Sequence, residues 1–193
     1  MKADKPGSGI SGSLHSAVDD CAQVVSESWA QQVAGQEATG QEPAGAVAGG
    51  LRFASMDYGS DAYKQTLALR ERVLRQPLGL SLWDENLTEE SRQLHFGLLN
   101  TESRPVACLV VVSLTVQAVK IRQMAVDPDY QGQGLGRKLM QRVEQWLMAR
   151  GVKTATLHAR TTAVGFYESL GYVQIGAEFA EVGIPHCKMT RNF

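Results

Sequence analysis

The pattern of hydrophobic and polar residues divides the chain near residue 51. From there on, short alternating or continuous apolar runs, typical of strands, take turns with segments whose apolar residues recur at helical spacing. Residues 1–50 are rich in Ala, Gly, Gln and Ser and contain no arginine, a composition that buries too little apolar surface to offset chain ordering. We therefore expect a disordered low-complexity tail over residues 1–50 and one folded domain over residues 51–193.

One feature of the tail departs from this composition. Five of its apolar residues recur at helical spacing: Leu14, Val18, Cys21, Val25 and Trp29. This stripe predicts a short amphipathic helix over residues 14–29, which could dock on the domain or on a partner. The alternative is a transient helix with no docking surface.

The first half of the domain predicts a strand, a helix and an antiparallel pair of strands. The strand covers Leu51–Met56, and the helix covers residues 61–74 with Asp61 as its N-cap and an apolar face that includes Leu74. After a loop and a short helix, alternating apolar residues over 94–98 and a continuous apolar run over 107–114 predict the paired strands.

The next strand changes its phase of alternation. Val119 and Ile121 place apolar side chains at odd positions, whereas Met124 and Val126 place them at even positions. Period-two alternation cannot change phase without an inserted residue, so the pattern predicts a β-bulge at residues 122–124. The alternative is a strand buried on both faces, in which the phase carries no information.

Three glycines then fall within five residues, directly before a helix whose apolar stripe runs from Leu135 towards Gly151. A glycine-rich turn at a helix N-terminus brings unpaired N–H groups and the positive end of the helix dipole against an anion, with no Cβ to hold the ligand away. The segment is therefore a candidate phosphate cradle. Arg137 and Lys138 add positive charge beside it.

Two nucleotide-binding motifs do not fit this segment. A P-loop requires Lys-Ser/Thr after its last glycine, and a dinucleotide fingerprint requires a glycine where Arg137 stands. The order Q-x-x-G-x-G over Gln131–Gly136, preceded by MAVDPDY, does fit another pattern. It closely resembles the acetyl-CoA-binding motif of the GNAT superfamily of N-acetyltransferases.

The resemblance covers residues 51–193 and implies a fold. A strand over residues 152–160, reached through the helix, should lie parallel to the bulged strand. The family fold is an α/β arrangement in which helices flank a mixed, mostly antiparallel sheet with splayed parallel central strands. The C-terminal EVGIPHCKM resembles a small bacterial branch of the family, called ElaA-like or YjcF-like.

The resemblance also implies site residues. Tyr167 stands where the family has its usual proton donor to the departing thiolate, and Arg160 replaces an asparagine that many members carry. The predicted coenzyme-binding set joins the strand end, the glycine loop and this arginine: Met124, Ala125, Val126, Gln131, Gly132, Gln133, Gly134, Leu135, Gly136, Arg137 and Arg160.

Amine acetylation needs an oxyanion donor and a base. The splayed backbone over residues 124–126 is the candidate donor. An alkylamine has a pKa of about 10 and must lose a proton before it attacks, so a base or water relay is required. His186, Glu181 and Glu71 are the candidate bases. No histidine pair has helical metal-ligand spacing, so we expect no metal.

Composition limits the classes of partner and the cellular location that we expect. The formal net charge is -1, which gives no bulk attraction to nucleic acid or to an anionic membrane. Three cysteines without C-x-x-C spacing, and no membrane-length apolar run, favour a reducing cytoplasmic location.

The sequence thus predicts an acetyl-CoA-dependent N-acetyltransferase acting on a small amine, with a homodimer left open. Two alternatives are a catalytically silent acetyl-CoA sensor and a protein N-acetyltransferase that docks partners through its tail.

Overall fold

A nine-stranded sheet organises the part of the chain that the computed structural model describes, residues 46–47 and 50–193. The predicted helix over residues 14–29, and most of the predicted tail, lie outside these residues. The strands are β1 (Ala46–Val47), β2 (Leu51–Met56), β3 (Leu94–Leu99), β4 (Pro105–Thr115), β5 (Ala118–Val126), β6 (Thr154–Arg160), β7 (Val173–Gln174), β8 (Phe179–Glu181) and β9 (Ile184–Asn192). Strand β1 pairs with β2, so the sheet begins inside the segment expected to be tail.

Helical segments connect these strands. The α-helices are α1 (Asp61–Arg70), α2 (Leu135–Met148) and α3 (Val164–Glu168). A π-helical turn (Glu71–Arg75) continues α1, and five 3₁₀ turns complete the described helical structure: Gln76–Leu78, Leu82–Asp84, Thr88–Arg92, Pro128–Tyr130 and Thr161–Ala163. The predicted α/β class, with helices flanking a mixed sheet, is confirmed.

The sheet runs in the order β1-β2-β3-β4-β5-β6-β9-β7, with β8 on β9, and all of its pairs are antiparallel except β5 with β6. The parallel pairing begins at Ala118 opposite Thr154 and ends at Ile121 opposite Leu157. Beyond this point β5 continues beside β4 while β6 continues beside β9. The two central strands therefore separate over their C-terminal halves, as predicted.

The predicted β-bulge is present in β5. Cys108 of β4 lies opposite Ala125, whereas Val110 lies opposite Arg122, so the two residues between them on β5 face a single residue of β4. Gln123 takes a left-handed backbone conformation with φ of 54°, which is rare for a residue with a side chain. The inserted residue accounts for the change of phase between Ile121 and Met124.

Helix α2 covers one face of the sheet. Its apolar stripe is fully buried against β3, β4 and β5, and consists of Leu135, Leu139, Met140, Val143 and Leu147. Helix α1 packs on the opposite face, where Leu69 contacts Cys108 and Ala125. The bulged strand is thus held between two helices, because apolar residues on its alternate positions are buried on both sides.

Helix α1 differs from its prediction at both ends. Ser60, not Asp61, is the N-cap, since the Ser60 hydroxyl accepts a hydrogen bond from the Tyr63 N–H at 3.1 Å. At the other end the π turn interrupts the α-helical phase. Leu74 therefore leaves the face of Tyr63 and Leu67 and packs beside Leu69 instead.

A buried ion pair joins α1 to the rest of the domain. Arg70 is fully buried and donates to both carboxylate oxygens of Glu90, at 2.8 and 2.5 Å. Its Nε donates to the side-chain oxygen of Gln123, the residue of the bulge, at 2.7 Å. The Tyr63 hydroxyl also donates to Glu90, at 3.0 Å. Burial disfavours the Glu90 carboxylate, but the hydrogen bond and charge of Arg70 outweigh it, so the pKa of Glu90 is lowered.

We expect Glu90→Gln to lower the free energy of unfolding by about 3 kcal/mol or more at pH 7, because it leaves the buried Arg70 without a counter-charge. Urea unfolding measures this difference. Since the folded-state pKa of Glu90 lies below its usual value of 4.5, the stabilisation is present above that pH and is lost as the pH falls through the folded-state pKa. The difference in the free energy of unfolding between wild type and Glu90→Gln should therefore become smaller as the pH is lowered.

Glu89→Gln is the matched control, because Glu89 precedes Glu90 and is exposed. It should change the free energy of unfolding by less than about 0.5 kcal/mol. Equal losses in the two variants would mean that the buried pair has no special part in stability.

Candidate active site

The separation of β5 from β6 opens a cleft of about 340 Å³. Its walls come from the bulged part of β5, from β6, from α3, from the turn after α1 and from the β8–β9 hairpin. The lining residues with polar or charged side chains are Arg75, Lys120, Arg122, Gln123, His158, Arg160, Tyr167, Glu181 and His186. The three predicted catalytic residues, Tyr167, His186 and Glu181, are therefore brought together in one cleft.

Tyr167 reaches the cleft from α3. Burial raises the pKa of its phenol to about 12, although the positive charge of Arg160 acts in the opposite direction. The hydroxyl lies 3.6 Å from the Met124 sulfur, which is a weak acceptor. The phenol is thus a protonated donor at neutral pH with no strong acceptor holding its hydrogen.

His186 lies on β9 and is 6% exposed. Its Nδ1 is 3.0 Å from the carbonyl oxygen of Ile184, and a carbonyl can only accept, so Nδ1 carries the hydrogen. In the neutral ring, Nε2 is then left with a free lone pair. The backbone of the β8–β9 hairpin thereby selects the tautomer that a general base requires.

Glu181 is part of a charged group rather than an isolated carboxylate. Its Oε2 is 2.5 Å from Nδ1 of His158, and the Lys120 ammonium is 3.4 Å from the same nitrogen. Burial disfavours the ionised Glu181, but His158, Lys120 and His186 together outweigh it and lower its pKa. A carboxylate in this setting is a weak base, so the structure favours His186 over Glu181 for proton removal.

The third candidate base, Glu71, does not line the cleft. Its carboxylate accepts a hydrogen bond from the backbone N–H of Leu82 at 2.7 Å. Leu82 is fully buried and packs with Tyr63 and Leu67. Glu71 therefore anchors the loop after α1, and its assignment as a candidate base is not supported.

The glycine loop begins where β5 ends. Gln131 donates its side-chain N–H to the carbonyl of Val126 at 3.0 Å, which ties the loop to the strand. Gly132 and Gly134 both have φ of 74°, a conformation that other residues adopt only with strain. Gly134 is the N-cap of α2, so the free N–H groups of the first helical turn lie at this loop.

The loop meets the physical requirements of an anion cradle. A Cβ built on Gly132 or Gly134 would meet no atom within 4 Å, so open space adjoins this backbone. At Gly136 the reason for glycine differs, because a Cβ there would come within 2.8 Å of the Met124 methyl group. The residues of the loop therefore fit the pyrophosphate of a coenzyme, and Gly136 allows α2 to approach the bulge.

The two predicted arginines have defined partners. Arg137 donates to the carbonyl and hydroxyl of Ser169, at 3.1 and 2.7 Å, and so joins α2 to the segment after α3. Arg160 lines the cleft and donates to the carbonyl of Leu74 at 3.0 Å. Both contacts leave further N–H groups of these guanidinium side chains for a ligand.

Among the charged residues that β5 and β6 contribute to the cleft, sequence reasoning missed three: Lys120, Arg122 and His158. Their even-numbered positions on β5 and β6 mark one face of the sheet, but the alternation pattern does not distinguish a cleft from open surface. Over residues 46–47 and 50–193, no group of three or more His, Cys, Asp or Glu residues is arranged to hold a metal ion. In the same part of the chain, the helices are too short or too polar to cross a membrane.

Curated relatives match part of this chain. YyaT of Bacillus subtilis, an uncharacterised protein, is 36% identical over 73 residues, which cover 38% of this chain and 49% of YyaT. The [ribosomal protein bS18]-alanine N-acetyltransferase of Escherichia coli is 35% identical over 96 residues, which cover 47% of this chain and 64% of that enzyme. The chain thus spans about half to two thirds of the length of these relatives.

Solved structures share the fold. A putative N-acetyltransferase from Lactobacillus plantarum superposes with a TM-score of 0.66 at 23% identity, covering 74% of this chain and 97% of that one. Escherichia coli ElaA superposes with a TM-score of 0.62 at 20% identity, covering 73% of this chain and 99% of ElaA.

A family model described as an acetyltransferase (GNAT) domain matches residues 83–193, from the loop after α1 to the C-terminus. The match includes the bulged strand, the glycine loop and most residues of the cleft. Because it takes in more than half of the chain, this protein belongs to the GNAT acetyltransferase family.

Proposed function

We propose that this protein is an N-acetyltransferase that moves an acetyl group from acetyl-CoA to the amine of a small acceptor. The observation that carries the proposal is the presence of Tyr167 and His186 in one cleft between β5 and β6, with the glycine loop following the end of β5. One group is a protonated donor and the other has a free lone pair. Acetyl transfer to an amine needs a group of each kind.

The residues that would hold the coenzyme are those of the loop and the end of β5. The N–H groups at Gly132, Gly134 and the start of α2 would bind the pyrophosphate. The pantetheine arm would follow the gap in which β5 lacks a β6 partner, because backbone groups of residues 122–126 on that side have no strand to pair with. When bound, acetyl-CoA supplies an acetyl group activated as a thioester.

Each of these protein groups has a separate role in the proposed transfer. His186 Nε2 takes a proton from the incoming ammonium, directly or through water, so that the nitrogen can attack the thioester carbon. The N–H groups of the splayed segment Met124–Val126 donate to the carbonyl oxygen as it gains charge. Tyr167 protonates the departing sulfur. The C–S bond breaks as the C–N bond forms, and the products are an amide and a thiol.

A protein acceptor is the second candidate. It is favoured by the name of one relative, which acts on an alanine of ribosomal protein bS18. A silent acetyl-CoA sensor is the third, but such a protein has no need of a proton donor at Tyr167. Thiol release measured with amines, polyamines, amino sugars and peptides ending in alanine separates these three functions.

We expect Gly134→Asp to abolish the thermal stabilisation that acetyl-CoA gives. A carboxylate at this position would fill the open space beside the loop and repel the pyrophosphate. The measurement is the melting temperature with and without acetyl-CoA, since a ligand that binds only the folded state raises it.

Gly59→Asp is the matched control. Gly59 has a similar φ of 79° and equally open surroundings, but it lies in the turn before α1. Both variants carry the same backbone strain, and only Gly134→Asp should lose the response to acetyl-CoA. A full response in Gly134→Asp would exclude the loop as the binding site.

We expect Tyr167→Phe to reduce kcat at least about tenfold, with little change in acetyl-CoA affinity. The ring and its packing remain, and only the proton donor is lost; general-acid effects are typically about 10² to 10⁴-fold, and a thiolate leaves moderately well unprotonated. Because the pKa of Tyr167 is about 12, the phenol stays protonated to pH 10, so the reduction should be equal at pH 7 and pH 9.

Tyr172→Phe is the control, since Tyr172 packs 6.0 Å from the Tyr167 ring but does not line the cleft. Steady-state thiol release by both variants, with acetyl-CoA titrations alongside, gives the comparison. Equal kcat values for wild type and Tyr167→Phe would remove this tyrosine from the mechanism.

A further inference from the structure

One face of three neighbouring strands carries a series of basic side chains, most of which line the cleft. The side chains alternate along each strand, and on this face they are Lys120 and Arg122 of β5, His158 and Arg160 of β6, and His186 and Lys188 of β9. The cross-strand pairs His158 with Lys188 and Arg160 with His186 place basic groups directly opposite one another.

Few carboxylates lie near these basic side chains. Glu181 is the one carboxylate among the described residues that line the cleft, and it is shared by His158, Lys120 and His186. Arg75 is paired with Glu85. Among residues 46–47 and 50–193, no carboxylate forms an ion pair with Lys120, Arg122 or Arg160.

Lys120 and Arg122 lie too far from the glycine loop to serve the coenzyme pyrophosphate. They precede the bulge, whereas the loop follows Val126 at the other end of β5. At about 3.3 Å per residue, the six steps from Lys120 to Val126 span about 20 Å. Lys120 and Arg122 thus lie in the first part of the strand and the loop follows its end, with Met124, which Tyr167 contacts, between them.

We propose that the acceptor amine carries an anionic group, a carboxylate or a phosphate, which Lys120 and Arg122 bind. The inference rests on the proposed acetyl transfer and names the acceptor class for that same cleft. Arg122 offers a planar fork of N–H donors that matches either anion, and Lys120 adds a point charge on the same face two residues away. Arg160, already bonded to the Leu74 carbonyl, lies nearer the proton donor.

Matched amines with and without the anion test the proposal. The first arm compares ω-amino acids of two to six carbons with alkylamines of the same length, and the second compares phosphoethanolamine with ethanolamine. We expect at least one anionic amine to have a kcat/KM about tenfold or more above that of its neutral partner. The carboxylate and phosphate arms distinguish the two anions, and the preference should fall as salt is raised.

Lys120→Gln and Arg122→Gln test the residues. Each should remove most of the preference for the anionic acceptor, measured as the ratio of kcat/KM for the anionic amine to that for its neutral partner, while KM for acetyl-CoA stays within about twofold of wild type. The controls are Lys153→Gln and Arg52→Gln, which remove the same charges from exposed positions outside the cleft. Neither control should alter the preference.

A binding experiment gives a readout that does not depend on turnover. Calorimetric titration compares 4-acetamidobutanoate with N-butylacetamide, on wild type and on Arg122→Gln in the presence of coenzyme A. The carboxylate should bind at least about tenfold more tightly to wild type, and the difference should vanish in the variant.

The outcomes separate this inference from the proposed function. Equal use of anionic and neutral amines would overturn the anion site and leave acetyl transfer intact. A rise in KM for acetyl-CoA in the two variants, with the acceptor preference unchanged, would assign these cations to the coenzyme and overturn the proposal. Selective binding of the acetamido-carboxylate without turnover of any amine would support the anion site and contradict acetyl transfer.

Discussion

The contact between Arg70 and the bulge residue Gln123 is the constraint on which the site depends. The bulge lies where β5 leaves β6, and beyond Ile121 the peptide groups of β5 have no partner on β6. A left-handed conformation at Gln123 costs about 1 to 3 kcal/mol and persists only when its surroundings fix it. Arg70 supplies that fixation, and Glu90 in turn holds Arg70.

The buried residues that stabilise the bulge are distinct from the residues proposed to carry out acetyl transfer. The buried pair of Arg70 and Glu90 lies on the α1 side of the sheet and does not line the cleft, whereas Tyr167, His186 and the basic face lie in the cleft itself. A buried ion pair therefore supports the shape of a cleft that it reaches only through Gln123. Polar groups of this kind are costly to bury, and their use here is consistent with a role in specifying one backbone conformation.

The sequence predicted the parts of the site that depend on local pattern. The change of phase after Ile121 revealed the bulge, and the spacing of Gly132, Gly134 and Gly136 revealed the loop. Both are properties of a few consecutive residues.

The parts that depend on distant contacts could not be predicted. Arg70 and Glu90 meet across twenty residues, and Glu71 reaches Leu82 through a loop whose path the pattern does not define. Lys120 and Arg122 alternate with buried residues as any exposed strand face does, so only the position of the β8–β9 hairpin shows that they line a cleft. The π turn after α1 left no periodic signal because it is a single turn.

Helix α1 and its π turn hold the bulged strand at two points. Arg70 bonds Gln123 at the start of the splayed segment, and Arg72 bonds the buried Asp127 just past its end, at 2.6 Å. The facing wall, β6, is anchored on β9 instead. The parallel pairing of the two walls stops at Ile121 and Leu157, although both strands bury side chains in the same apolar core. Beyond that point side chains join the walls: Arg160 of β6 donates to the Leu74 carbonyl, and Tyr167 of α3 contacts Met124 of β5. Side-chain contacts, and not strand pairing, therefore set the width of the cleft.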